Sequence, residues 1–359
     1  MKYLRLLIGG LITVQLATAQ ASSFTEEFAN RSLVSKESMN YSELNGKTYN
    51  TKNWANPVLH NIFMVNNRSE TAQYRINLNN ISKMTDGKIL FIDMLGAEVL
   101  DWAQLNPTKF TNQVQKFHSI AAFETTNLDL PESPFVVLFS STSHNLLSAV
   151  TLDLVRDLTL AGNTVVMMEY PGYGGSMGTP TKASWQKASE GLVLFVKNRF
   201  PQRKIFLIGH SIGAPVAMET AAHQPKLIAG VVSHSSFYNL YEASKDSAKF
   251  LFSNWIAPLL TKLTAARENW DNGENLELLS KNNVPVLLLH GRNDASVSFR
   301  HFNLLTHKAA QLKKSNQNFP FYSHAFDSTH EDIYTNADYG KYKEIWDSID
   351  DFMNLLITI

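Results

Sequence analysis

The chain has 359 residues, 32 Lys and Arg against 32 Asp and Glu, 44% hydrophobic residues and no cysteine. A neutral balance without a clustered basic stripe argues against nucleic acid as a partner, and the lack of cysteine excludes disulfides and thiolate metal sites. No internal repeat or low-complexity tract interrupts it, and the length suffices for one large α/β domain with an N-terminal extension, or for two domains.

In chain order, Met1 to Arg5 form a short basic start, Leu6 to Leu16 an apolar stretch, and Ala17-Thr18-Ala19 a small-x-small cleavage site. This reads as a secretory signal peptide over residues 1–19, too short for a comfortable membrane span, with cleavage after Ala19 or Ala21. The expectation is a secreted or periplasmic protein; the alternative is an uncleaved inner-membrane anchor. Subtracting Lys2 and Arg5 from the 32 basic residues leaves 30 against 32 acidic in the mature chain. Membrane contact is not indicated beyond that segment.

Residues 20–73 are polar and rich in Asn, Ser and Glu, apart from the apolar stretch Pro57 to Val65. They read as an N-terminal arm packing on the domain that follows, residues 74–359. There, strands are predicted at Tyr74 to Leu78, Lys88 to Ile92, Phe117 to Phe123 and Phe135 to Phe139. Leu147, Val150, Leu154 and Leu158 recur at helical spacing and stop at Gly162. A strand at Thr164 to Met168 follows, then a helix marked by Trp185, Ala188, Leu192, Phe195 and Val196 and closed by Pro201.

The next unit is the most informative. The apolar run Ile205-Phe206-Leu207-Ile208 leads into Gly209-His210-Ser211-Ile212-Gly213, and a small-residue helix start, Ala214 to Ala217, stands behind it. Gly-x-Ser-x-Gly between a strand and a helix is a sharp turn that lifts a serine hydroxyl above a sheet, with glycines where chain passes close by. Further on come a strand at Ile228 to Val232, an insertion at about 238–283 and a strand at Val284 to Leu289. A helix near 299–313, a strand at Phe319 to Phe326 and an amphipathic helix from Tyr342 to about Ile357 complete the chain. Alternating strands and helices with short connections predict a mostly parallel sheet covered on both faces.

A serine hydroxyl is a poor nucleophile alone and needs a base, which in turn needs a carboxylate to orient it. Asp294 follows the strand at 284–289 and His330 follows the strand at 319–326, so both sit past carboxyl ends of strands, where open α/β sheets gather chemistry. Histidine can take the serine proton and return it to the leaving group. Glu169 and Asp332 are the competing acids. Taken singly, Asp294 reads equally well as a turn residue and His330 as an ordinary surface histidine; together, in the order Ser, Asp, His, they do not.

These motifs, with Tyr170-Pro171-Gly172-Tyr173-Gly174-Gly175-Ser176 after its strand and His330-Glu331-Asp332-Ile333, resemble the α/β-hydrolase superfamily over about residues 75–359. Within it they are similar to the serine hydrolase subgroup that contains protein depalmitoylases and uncharacterised bacterial homologues. The resemblance implies an α/β-hydrolase fold with a small cap insertion. It makes Ser211 the nucleophile, His330 the base and, through His290-Gly291-Arg292-Asn293-Asp294, Asp294 the orienting acid. One oxyanion donor is expected to be the backbone N–H of Ile212. The other is expected from the loop after the strand at 135–139. Relatives usually carry His-Gly there and this chain has Ser140-Ser141-Thr142-Ser143-His144, so Ser141 or Thr142 would serve. His210 and His290 occupy positions of structural histidines, and neither a metal nor a cofactor is implied.

The function expected is hydrolysis of an ester or thioester of a small or acylated substrate through an acyl-enzyme. A peptidase or amidase with the same triad, and a non-catalytic binding protein of the same fold, are the alternatives. Phe237, Tyr238, Tyr241, Phe250, Phe252, Trp255 and Ile256 crowd the start of the insertion, as a cap's own core or as the lining of an acyl pocket.

Overall fold

In a computed structural model of the chain, the apolar runs from residue 135 onward become six neighbouring strands of a nine-stranded sheet. The structure describes residues 88–92, 99–101, 120–124, 133–141, 154–155, 158, 161–168, 170–171, 180–251, 270–334 and 339–358. The signal peptide, the N-terminal arm, the strand expected at Tyr74 to Leu78, Thr142, Glu169, Phe252 and Trp255 lie outside the described residues.

The strands are β1 Lys88–Ile92, β2 Val99–Asp101, β3 Ile120–Glu124, β4 Phe135–Phe139, β5 Thr164–Met167, β6 Ile205–His210, β7 Ile228–His234, β8 Val286–Gly291 and β9 Phe321–Phe326. The helices are α1 Lys182–Arg199, α2 Gly213–His223, α3 Leu240–Leu251, α4 Asn272–Lys281, α5 Arg300–Ser315 and α6 Tyr339–Ile357. The strand order is β2-β1-β3-β5-β4-β6-β7-β8-β9. From β5 to β9 every neighbouring pair is parallel. The other three strands join antiparallel at the β5 edge. Three-residue β2 is too short to leave an alternation in the sequence.

Parallel strands covered by helices are buried on both faces and so read as continuous apolar runs. Every residue of β4 and β6 is buried. Alternation still sorts them: Phe135, Val137 and Phe139 pack with α1, α2, α4 and α5, while Val136 and Leu138 pack with Leu154, Leu158 and α6. Helix α2 lies against strands β6, β7 and β4 and is buried over ten of its eleven residues. This explains its small residues, since a helix enclosed on several sides has room for Ala and Gly but not for a polar outer face.

Two strands begin later than their apolar runs suggest. The run from Val284 contains Pro285, the run from Phe319 contains Pro320, and β8 and β9 start just after these prolines. Proline has no N–H for the ladder but keeps its carbonyl, and each serves as acceptor: Pro285 O for Val231 N and Pro320 O for Val286 N, both at 2.9 Å. Conversely, β7 runs two residues further than its apolar run, to His234, and α6 starts three residues earlier, at Tyr339.

Within the insertion, α4 packs against α2, and Leu276 and Leu279 belong to the same core as the sheet. The chain enters and leaves this segment through an antiparallel bridge between Asn239 and Asp271 and a hydrogen bond from Leu240 N to Trp270 O at 3.1 Å. Phe237 is in the main core, and Tyr238 packs against it.

Candidate active site

After β4 the chain goes to β5 on one side and then crosses to β6 on the other, so the loops leaving β4 and β6 diverge around a crevice at their carboxyl ends. That reversal of strand order is where open α/β sheets bind ligands. Here it sets Ser140-Ser141 beside Ser211.

Ser211 has φ 55°, a left-handed conformation that costs a residue with a side chain roughly 1–2 kcal/mol. The strain is held from both sides. Ser211 N donates to His234 O on β7 at 3.0 Å, and Ser211 O accepts from Ala214 N at 3.1 Å as α2 begins. The flanking glycines are required by close approach. A Cβ on Gly209 would fall on the Gly213 carbonyl, and one on Gly213 would fall on the Phe139 and Ser140 carbonyls. Bare backbone is thus what lets α2 start directly against the end of β4.

Ile212 stands at the N-cap of α2, buried, and no side chain caps the helix. Its N–H is one of the amides at the helix's positive end, where developing negative charge is favoured. Ser140 and Ser141 are buried as well, and Ser140 O accepts a hydrogen bond from the Tyr170 hydroxyl at 2.9 Å.

Asp294 and His330 meet although 36 positions separate them. His330 Nδ1–H donates to Asp294 Oδ2 at 2.7 Å, with Asp294 8% and His330 7% exposed. The other carboxylate oxygen accepts from the amides of Ser296 at 2.9 Å and Val297 at 2.8 Å. Burial by itself pushes the Asp294 carboxyl up, but the His330 hydrogen bond and charge, the Val297 amide and His290 outweigh it and hold the group below its ordinary value. With Nδ1 donating, His330 Nε2 is left as the basic nitrogen. Among the described residues no hydrogen bond joins Ser211 Oγ to that ring, a contact that often closes only when substrate binds. The competing acid Asp332 is engaged in its own loop, accepting from Thr329 N at 2.6 Å.

Histidines at the ends of β6, β7 and β8 lie close to His330, which follows β9. His210 Nε2–H donates to His330 O at 2.8 Å, and its ring lies 4.7 Å from that of His330 and 5.1 Å from that of His234. His290 Nε2–H donates to Val297 O at 2.9 Å and lies 3.5 Å from Asp294 Oδ2. Burial pushes the His234 ring down to about 3, helped by the nearby His290 and His330, and burial likewise lowers His290. His234 is therefore neutral at physiological pH. His234 could have been found from its register, since it pairs with His210 across β6 and β7. Among the described residues no group of three or more His, Cys, Asp or Glu is arranged to hold a metal ion.

Comparison with known proteins agrees with this architecture. The model of the serine aminopeptidase family S33 matches residues 144–283. Human protein ABHD12B is 27% identical over 176 residues, 47% of this chain and 48% of that protein. The lysophosphatidylserine lipase ABHD12 of Danio rerio is 26% identical over 172 residues, 46% of this chain and 44% of that protein. The chain thus spans about half the length of the curated relatives it matches. Among solved structures, the Pyrococcus furiosus esterase Pf2001 aligns with a TM-score of 0.51 and 18% identity, covering 67% of this chain and 86% of that one. The parallel sheet with its switch point, the strained Gly-x-Ser-x-Gly turn and these similarities give the chain the α/β-hydrolase fold.

Proposed function

We propose that the protein is a serine hydrolase that cleaves an ester or thioester through an acyl-enzyme. The observation that carries this reading is the buried 2.7 Å hydrogen bond from His330 to Asp294, set beside a serine held in a left-handed turn. In the first half-reaction His330 Nε2 takes the proton of Ser211 Oγ as that oxygen attacks the substrate carbonyl. The resulting oxyanion is met by the N–H groups of Ile212 and Ser141. The imidazolium, stabilised by Asp294, then protonates the departing alcohol or thiol. In the second, His330 removes a proton from water, the hydroxide attacks the acyl group, and the proton returns to Ser211 as the acid leaves.

The similarity to the serine aminopeptidase family favours a second reading, amide or peptide hydrolysis by the same residues. The two differ in the leaving group: an amine must be protonated as it departs, whereas a thiolate or activated alkoxide leaves more readily. The similarity to a lysophosphatidylserine lipase supports the ester. The aromatic residues that open the insertion would form an acyl pocket, and export through the signal peptide would place the enzyme outside the cytoplasm.

Labelling with a fluorophosphonate probe, followed by turnover of matched ester, thioester and anilide substrates, tests the reading. The wild type should label, Ser211→Ala and His330→Ala should not, and turnover of the preferred substrate should fall by at least ~10³-fold in both. Unchanged turnover in either variant overturns the assignment, and anilide cleavage exceeding that of the ester would favour the peptidase.

A further inference from the structure

The Ser140-Ser141 segment that leaves β4 has no glycine and lies against the start of α2. What fixes its path is on the next strand. Tyr170 follows β5, which pairs with β4 in parallel register up to Leu138 opposite Met167. The Tyr170 side chain is 1% exposed and stacks on Trp185 of α1, with ring centroids 4.0 Å apart and 11° between planes. Trp185 is anchored in turn by its Nε1–H, which donates to Pro171 O at 3.2 Å. The phenol ring therefore has one orientation, and its hydroxyl donates to Ser140 O at 2.9 Å.

That carbonyl shares a peptide plane with the N–H of Ser141. In a planar trans peptide the oxygen and the hydrogen point in opposite directions, so fixing one fixes the other. Ser140 O also stands 2.7 Å from the place of a Cβ on Gly213, so this peptide is packed against its neighbours. The Ser141 N–H is therefore turned away from the Tyr170 hydroxyl.

We propose that Tyr170 is a positioning residue for the oxyanion loop, its hydroxyl holding the Ser140–Ser141 peptide in the orientation that presents the Ser141 amide to the reaction. The inference rests on Ser211 acting as the nucleophile. Tyr170 touches no reacting atom; it acts on the transition state through the loop, because a donor that is misdirected serves the tetrahedral intermediate poorly while leaving ground-state binding untouched.

The test uses the full-length protein with Tyr170→Phe, which deletes the hydroxyl and keeps the stack on Trp185. The measurements are kcat and KM on a model ester, the inhibition constant of a phenylboronic acid, whose serine adduct is tetrahedral, and Tm. Removing an oxyanion donor outright costs ~10²–10³-fold in rate, so misdirecting one should lower kcat by about 10-fold or more. KM should stay within about twofold, and boronate binding should weaken by the same factor as kcat. Trp185→Phe, which keeps the hydroxyl but loosens the ring, should give a smaller loss of the same kind. Unchanged kcat and boronate affinity in an active Tyr170→Phe protein overturn this inference alone, even if Tm falls. A wild type that neither labels nor turns over overturns the hydrolase reading, and this inference with it.

Discussion

His210 Nε2–H donates to the main-chain oxygen of His330 at 2.8 Å, so the strand that leads into Ser211 is tied directly to the loop carrying the imidazole that would serve it. Both side chains are buried, and the rings are 4.7 Å apart. A second tie, from Asn293 N to Ser328 O at 3.0 Å, joins the same loop to the segment that carries Asp294. Three pieces of chain far apart in sequence are thereby fixed relative to one another by backbone and histidine contacts beneath the site.

This tie predicts a graded response at His210. Replacement by Leu leaves His330 O without its donor, whereas Gln places an N–H near the same position. His210→Leu should lower kcat/KM on a model ester by ~10-fold or more, since displacements of about 1 Å at a reacting group cost on that scale, and His210→Gln should recover much of it. Equal activity of the two variants, at temperatures where both are folded, would show that the contact does not position His330.

The acid can be identified by comparing carboxylates. Asp294→Asn should lower kcat by several orders of magnitude, because the amide no longer fixes the His330 tautomer or stabilises its charged form. Asp332→Asn should retain most activity, since its carboxylate is engaged by the Thr329 amide rather than by His330. Glu169→Gln, outside the described residues, should also remain active. A dead Glu169→Gln enzyme beside an active Asp294→Asn one would place the acid on the wrong strand.

The strain at Ser211 can be measured without any substrate. Alanine keeps the Cβ in the left-handed conformation and glycine removes it, so Ser211→Gly should be more stable than Ser211→Ala by about 1 kcal/mol in denaturant unfolding. Gly213→Ala should do the opposite, losing at least ~1–3 kcal/mol because its Cβ overlaps the Phe139 carbonyl. If all three are as stable as the wild type, the turn is not strained.

Stability should also depend on pH through the buried histidines. His234, held at about 3, and His301, held at about 4, are pushed down mainly by burial. Unfolded histidine titrates near 6.5, so below that pH the unfolded chain binds more protons than the folded one and stability falls as pH drops. The slope is at most ~1.4 kcal/mol per pH unit for each such group, and it ends once pH passes below the folded value. Asp294 acts lower down: with its folded value depressed, its contribution is present above the unfolded value and lost as pH falls through the folded one. The His234 ring faces His290, His330 and Asp294, and burial is the larger cause of its shift. His234→Leu, removing a buried imidazole, should therefore flatten the profile of unfolding midpoint against pH between 6.5 and 4. An unchanged profile would mean that another group governs the acid limb.

The sequence by itself determined those features in which the cause and the effect lie within a few residues. The strand, turn and helix around Ser211 could be read directly, because glycines at 209 and 213 and an apolar run before them admit few other local structures. The boundaries of β1 and β4 followed for the same reason, whereas β8 and β9 begin after Pro285 and Pro320, two residues later than their apolar runs suggest. Tertiary structure decided everything that depends on which segments become neighbours. It ordered the strands β5-β4-β6, opening a crevice between loops whose sequences say nothing of each other. It joined His330 to Asp294 and engaged Asp332 elsewhere, a choice between two carboxylates of identical chemistry made by distance. It also carried Tyr170 to Ser140, 30 positions away, and His210 to His330, 120 positions away. Such contacts leave no periodic trace in a chain. They are set by sheet register and by side chains filling the space that the register leaves, quantities defined only once the whole domain has packed.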